Sequence, residues 1–257
     1  MLSLSACGGG KDELILGATT SAQDTGLLDA LVKAFESDYD YAVKPIVGGS
    51  GQILEQAKQG ELDVIMTHSP ADEEAFMAEG YGADRTTVMQ NFFLLAGPGA
   101  DPAKVAGAAS MTDAFRNIAA SEHPFISRGD QSGTHKRELV TWAAAGIEDP
   151  AGQSWYAESA TGQGQSILVA NERDAYTLAD SSTFAVFKGR VKIVELMRDR
   201  DKPNVYSVIR LNPARLDKVN TEAADAWLEF LSGEGQEVIA EFGSEEYGEP
   251  LFEPLAR

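Results

Sequence analysis

The sequence predicts an α/β fold of two lobes with a cleft between them, and three observations carry that expectation. The N-terminal third repeats a unit of apolar strand, hydroxyl-bearing loop and amphipathic helix three times, as expected of a mostly parallel sheet flanked by helices. The apolar strand Asn91–Ala96 then runs into Gly97-Pro98-Gly99-Ala100-Asp101-Pro102, a break that reads as a crossover into a second lobe. Finally, Val205–Leu211 alternates like a strand that leads back to the first lobe. The expected division is a tether over 1–10, a first lobe of 11–95 plus 205–257, and a second lobe of 96–204. A chain of 257 residues accommodates two lobes of about 100–150 residues each.

The elements follow in order. Leu14–Ala18 is a short buried strand ending in Thr19-Thr20-Ser21, and the next helix places Leu27, Leu28, Leu31, Val32 and Phe35 on one face. Ala42–Val47 is the second strand, closed by Gly48-Gly49-Ser50-Gly51 before a helix through Ile53, Leu54 and Ala57. Leu62–Met66 is the third, followed by Thr67-His68-Ser69-Pro70 and a helix through Phe76. Ligands of open parallel sheets gather where strand carboxyl ends meet helix N-termini. Hydroxyls at that position in all three units (Thr20 and Ser21, Ser50, Ser69) point to a site, although a single Ser there is usually an N-cap. In the second lobe, Thr161-Gly162-Gln163-Gly164-Gln165-Ser166 precedes a helix through Val169, and Val191–Leu196 is a strand. The charged segment Arg198–Asn204 reads as a solvated surface loop. Trp227 and Phe242, on two terminal helices, read as core.

The most informative stretch is Ser127-Arg128-Gly129-Asp130-Gln131-Ser132-Gly133-Thr134-His135-Lys136-Arg137-Glu138. It follows the apolar run Pro124-Phe125-Ile126 and enters a helix carrying Leu139, Val140 and Trp142. A helix N-terminus leaves N–H groups unpaired and carries partial positive charge, so it favours an anion. Ser132 and Thr134 add hydroxyl donors, Arg128 adds a fixed cation, and the glycines permit close backbone approach. An ordinary helix start, with Ser132 or Thr134 as a cap, would use the same residues.

Lys plus Arg number 21 against 40 Asp plus Glu, a formal charge of −19. That balance excludes a nucleic-acid partner, which requires a basic face. It also opposes long-range attraction of a small anion, so an anion site must act through short-range hydrogen bonds. Cys7 is the only cysteine, which rules out an intramolecular disulfide. Its setting, Leu4-Ser5-Ala6-Cys7-Gly8, matches a bacterial lipobox, in which the cysteine is lipidated and a glycine tether follows; a free thiol in a frayed terminus is the other reading. Only six residues precede it, too few for a complete signal peptide.

Several motifs together resemble the tungstate-binding proteins of bacterial ABC transporters, members of the type II periplasmic solute-binding fold. They are Thr19-Thr20-Ser21 with Asp24-Thr25-Gly26-Leu27-Leu28, Gly49-Ser50-Gly51-Gln52, Asp63-Val64-Ile65-Met66 with His68-Ser69-Pro70, and Glu79-Gly80-Tyr81-Gly82 with Arg85. To these belong Ser127–Glu138, Tyr176-Thr177-Leu178, Tyr206-Ser207-Val208-Ile209, and Glu241-Phe242-Gly243 with Tyr247-Gly248. The resemblance runs in order from Leu14 to Phe252. It implies a monomeric, lipid-tethered, extracytoplasmic receptor that captures tungstate or molybdate between its lobes, with no cofactor. The receptor then delivers the anion to a permease with a cytoplasmic ATPase. Carried over by motif, the ligand contacts are Thr20, Ser21, Ser50, Ser69, Arg128, Ser132 and Thr134. The chain departs from the pattern in two places: Ser69 stands where an Ala is common, and Ala179-Asp180-Ser181-Ser182-Thr183 lacks the Arg of Thr-Asp-Arg-Gly-Thr.

Alternatives differ in chemistry. A phosphate receptor of the same fold requires an acceptor for the ligand's proton, a role open to Asp130 or Asp24, whereas Asp130 paired with Arg128 or capping the loop suits tungstate, molybdate or sulfate. A serine hydrolase built on Ser132, His135 and Asp130 would hold all three in one short loop and the first helical turn, unlike the separated members of a triad. His135 is expected at the surface. His68, His123 and His135 show no metal-ligand pairing.

Overall fold

The computed structural model describes residues 11–255, so Cys7 and its glycine tether lie outside the described residues. The chain begins with β1 (Asp12–Thr19), α1 (Thr20–Asp24), α2 (Leu27–Asp38), β2 (Tyr41–Gly48), α3 (Ser50–Lys58), β3 (Val64–Thr67) and α4 (Pro70–Ala78). It passes through a long β4 (Gly82–Gly97) to α5 (Met111–Ser121), β5 (Phe125–Ser127), α6 (Gly133–Ala144), β6 (Tyr156–Glu158), α7 (Gln163–Glu172), β7 (Thr177–Asp180) and α8 (Ser181–Phe187). A second long strand, β8 (Val194–Leu211), returns it to α9 (Thr221–Ser232), α10 (Gly235–Glu241), α11 (Ser244–Tyr247) and β9 (Glu253–Pro254).

The main sheet has the order β2-β1-β3-β8-β4-β7, with β9 on β4. β1 pairs in parallel with β2 and β3, while β8 runs antiparallel to both β3 and β4. Beside β7, β5 and β6 form a parallel pair, joined to it by the Phe125–Tyr176 bridge. Strand alternation sends successive side chains to opposite faces. Thus Leu14, Leu16, Val64, Met66 and Val208 pack against α2, α9 and α10 through Phe35, Trp227 and Phe230, while Ile65 and Ile209 pack against α3 and α4 through Ile53 and Phe76. Further along β4, Phe93 and Leu95 meet α5 and α6 through Phe115 and Trp142, and Leu94 and Ala96 meet α7 and α8 through Ile167 and Phe184. Two layered lobes therefore share β4 and β8.

The expected boundaries at 95/96 and 204/205 fall inside these two continuous strands. Arg198–Asn204, expected as a surface loop, is part of β8. Arg198 pairs with Leu94, Asp199 with Phe93 and Asn204 with Asn91, so residues 200–203 stand opposite Phe92 alone in a wide bulge. A strand tolerates these charges because they are compensated: Arg198 pairs with Glu195 at 2.7 Å, Arg137 of α6 pairs with Asp199 at 2.6 Å, and Arg200 lies over the Phe92 ring.

Candidate functional site

Helix N-termini from both lobes line a cleft of about 480 Å³. The first lobe contributes Thr20 at the start of α1 and Gly49, Gly51 and Gln52 around the start of α3; the second contributes Arg128, Asp130 and Gln131, Lys136 of α6, and Ala160-Thr161-Gly162 before α7. The N-caps of α1, α3 and α7 (Thr19, Gly49 and Gly162) make no side-chain capping bond, so the first-turn N–H groups of those helices retain donor capacity. The α7 terminus was not among the expected ligand groups. Its Thr161-Gly162 start carries the same hydroxyl–glycine signal as the first-lobe loops.

The expected residues separate by what their polar atoms already do. Ser50 Oγ, Thr134 Oγ1 and Arg128 Nε are buried and have no hydrogen-bond partner among the described residues. Such atoms are costly unless satisfied, which makes them available to an anion. Ser132 caps α6, with its Oγ accepting from His135 N–H at 3.3 Å, so its own proton remains free to donate. Thr20 is half-buried on the cleft wall. Ser21 Oγ is enclosed by Thr19 Oγ1 at 3.1 Å, Tyr206 Oη at 3.0 Å and His68 Nε2 at 3.3 Å. Ser69 donates to Asp72 at 2.5 Å and faces a separate groove of about 340 Å³ on the other side of α6.

Arg128 is 3% exposed and donates to Asp130 Oδ2 at 2.5 Å, while Asp130 Oδ1 accepts from Ser132 N–H at 3.2 Å. Asp130 thus both pairs with the cation and caps the turn. Gly129 and Gln131 occupy the left-handed region, at φ 64° and 60°, and a Cβ on Gly129 would meet Glu158 Cβ at 2.7 Å. His135, expected at the surface, is buried. Its Nδ1 accepts the Gln131 N–H at 3.0 Å, which anchors the strained turn. Burial lowers the His135 pKa, and Arg128 acts in the same direction against Asp130 and Glu158, so the ring stays neutral. Beneath the loop, Glu138 accepts from Tyr156 Oη at 2.8 Å and Trp142 Nε1 at 3.2 Å. Burial raises its carboxyl pKa to about 7 despite those donors.

Two further carboxylates, Asp24 and Asp180, lie within electrostatic reach of the site. Burial and then Asp180 raise Asp24, at the end of α1, and Arg128 opposes them. Asp180 directly precedes Ser181, the position where the motif's Arg is lacking. It accepts from Asn91 Nδ2, Ser182 Oγ, Thr183 N–H and Thr183 Oγ1 at 2.6–3.1 Å, so four neutral donors satisfy it. The lobes meet closely: a Cβ on Gly133 would lie 3.1 Å from His68 O, and Lys136 Nζ pairs with Asp72 across the groove at 2.5 Å.

A family model described as a PBP superfamily domain matches residues 5–234. The chain is 41% identical over 250 residues to the tungstate-binding protein TupA of Peptoclostridium acidaminophilum, covering 96% of this chain and 87% of that one. Its fold superposes on the tungstate ABC transporter structure from Geobacter sulfurreducens with a TM-score of 0.82 at 38% identity, covering 91% of this chain and all of the other. It superposes on the tungstate-binding protein TupA from Desulfovibrio alaskensis with a TM-score of 0.81 at 34% identity, over 96% and 100%. These likenesses extend over both lobes and the strands that join them. The chain belongs to the PBP superfamily and, within it, to the family of ABC-transporter tungstate-binding proteins.

Proposed function

We infer that this chain is the extracytoplasmic binding component of an ABC importer and that it captures tungstate, with molybdate as an alternative guest, in the interlobe cleft. The observation that carries the reading is the set of buried donors without a partner among the described residues: Ser50 Oγ, Arg128 Nε and Thr134 Oγ1. A tetrahedral dianion has four acceptor oxygens and no proton, so it suits donors alone. The free helix N-termini supply N–H groups, Thr20 and Ser132 add hydroxyls, and Arg128 offsets part of the charge. In this reading the protein acts as a monomer, without cofactor, tethered to the membrane through a lipid on Cys7. It hands its cargo to a permease driven by a cytoplasmic ATPase. Among the described residues no helix is long and apolar enough to cross a membrane.

The chemistry is binding, not hydrolysis. His135 Nδ1 is occupied by the Gln131 N–H and Ser132 Oγ accepts from the His135 backbone, so the imidazole is not placed to take the Ser132 proton. Calorimetric titration with tungstate, molybdate, phosphate and sulfate tests the assignment. Tight binding of the first two is expected, with phosphate and sulfate weaker. Preferential phosphate binding would overturn the reading and make Asp24, the carboxylate of the cleft not already committed to Arg128, the acceptor of the ligand's proton.

A further inference from the structure

A row of buried side chains links the two lobes beneath the cleft. Asn91 of β4 faces Asn204 of β8 in the ladder, and Asn204 Nδ2 donates to Asn91 Oδ1 at 2.7 Å. Asn91 Nδ2 donates at 3.1 Å to Asp180 at the start of α8. In the other direction Asn204 Oδ1 lies 2.9 Å from His68 Nδ1, and His68 Nε2 lies 3.3 Å from Ser21 Oγ. Asn91, Asn204, His68 and Ser21 are all buried.

The chemistry of the end group sets the direction of every bond. The Asp180 carboxylate is the acceptor of four donors, so Asn91 turns its amide nitrogen toward it and its oxygen toward Asn204. Asn204 then offers an oxygen to His68, and because an amide oxygen only accepts, His68 Nδ1 carries the proton. Burial lowers the His68 pKa; Asn204, Asp180 and Glu73 favour the cation and Arg128 opposes it, without reversing the shift. The neutral ring therefore leaves Nε2 as an acceptor for the Ser21 hydroxyl proton. With that proton committed to His68, Ser21 Oγ can only accept from the hydroxyls of Thr19 at 3.1 Å and Tyr206 at 3.0 Å.

We propose that Asn91, Asn204 and His68 are positioning residues for the anion site: they hold His68 as the Nδ1–H tautomer and turn the Ser21 hydroxyl away from the cleft. Thr20 is then the α1 hydroxyl left to face the cleft, and its placement is tied through both crossing strands to Asp180 in the other lobe. The order Ser21–His68–Asn204 is that of a hydrolytic triad, but Thr19 and Tyr206 enclose the hydroxyl, which serves as a link in the row. The binding consequence rests on the oxyanion reading; the tautomer does not.

Long-range proton–nitrogen correlation spectra of the 15N-labelled, anion-free full chain test the tautomer directly. His68 is expected as neutral Nδ1–H and His135 as neutral Nε2–H, opposite states in one molecule; an Nε2–H or charged His68 at neutral pH overturns the proposal. Titration with tungstate tests the coupling. Asn204→Leu is expected to weaken binding at least about tenfold and to mix the His68 tautomers, whereas Asn204→Asp, which keeps the acceptor, retains the Nδ1–H signature. Adding Ser21→Ala to Asn204→Leu is expected to cost little more, because both act through one row. Additive losses would make the Ser21 hydroxyl a direct anion donor and sink the idea. If the wild type does not bind tungstate, the functional reading fails while the histidine spectra still decide the row. If the Leu variant does not fold, the wild-type and Asn204→Asp spectra remain decisive.

Discussion

Arg128→Ala is the sharpest test of the cleft. The guanidinium is 3% exposed, holds Asp130 at 2.5 Å and has no partner for Nε among the described residues. Its removal deletes the cation of the Ser127–Ser132 loop and leaves Asp130 with the Ser132 N–H alone, a carboxylate facing an anionic guest. Hydrogen bonds from a charged group to the anion are worth about 1.5–3 kcal/mol, and burial of Arg128 favours the upper end of that range. Loss of its pair with Asp130, which is 23% exposed, is a separate cost to the stability of the free protein. A loss of about 3 kcal/mol corresponds to roughly a hundredfold in affinity. Ser132→Ala removes one neutral donor, about 1 kcal/mol or roughly fivefold. Arg128→Lys should fall between them, because it keeps the charge and loses the planar donor geometry. Calorimetric titration of the three variants, with melting curves to show that each is folded, gives the ranking. Wild-type affinity in Arg128→Ala, or an equal loss in Ser132→Ala, would remove Arg128 from the site.

Four other outcomes are expected. Ser50→Ala and Thr134→Val delete hydroxyls that have no partner among the described residues, so each should leave the melting temperature unchanged or raised while weakening tungstate binding by about 1 kcal/mol; a destabilised variant with intact affinity would contradict this. Gly133→Ala places a Cβ 3.1 Å from His68 O, so the contact between the lobes must give by a few tenths of an ångström and tungstate affinity should fall, read by titration beside thermal melts. Asp72→Asn removes a half-exposed pair with Lys136 across the groove, worth at most about 1 kcal/mol, so stopped-flow release of the anion should quicken a few-fold, with the difference from wild type fading at high salt. Glu138 has a folded pKa raised to about 7 from 4.5, so its contribution to stability is fully present below the unfolded value and is lost as pH rises through 7. Since one unit is ~1.4 kcal/mol, Glu138→Gln should gain up to about 3 kcal/mol over wild type at pH above 7 relative to acid pH; denaturant melts showing a pH-independent difference would refute it.

The first lobe was legible because its strands are short apolar runs whose helices repeat with a helical period, and because hydroxyls recur at three strand ends. The turn between β5 and α6 was legible as a helix start through its glycines, hydroxyls and Arg128. The crossing strand β8 was not, since Arg198-Asp199-Arg200-Asp201-Lys202 has the composition of a loop, and only partners distant in sequence, Arg137, Phe92 and Glu249, make it a strand. His135 shares the buried face of α6 with Thr134, Glu138, Thr141 and Trp142, a helical period that a search for apolar residues misses because most of that face is polar. His68, Asn91 and Asn204 lie far apart in sequence as single polar residues, and only the register of β4 against β8 brings them together. The different commitments of Ser21, Ser50 and Ser69 arise likewise from tertiary neighbours and not from their similar local settings.

The two long strands also bear on how the molecule comes apart. β4 gives Val88 and Met89 to one lobe's interior and Phe93 to Ala96 to the other's, and β8 supplies Tyr206, Val208 and Ile209 to the first lobe while Leu196 and Met197 pack in the second. Neither lobe owns a complete interior, so a fragment cut at 95 or 204 would expose half a ladder as an aggregation-prone edge. Loss of structure should therefore be a single cooperative event in spite of the bilobal shape, and an anion bound at the cleft would protect amides on both sides of it equally against hydrogen exchange.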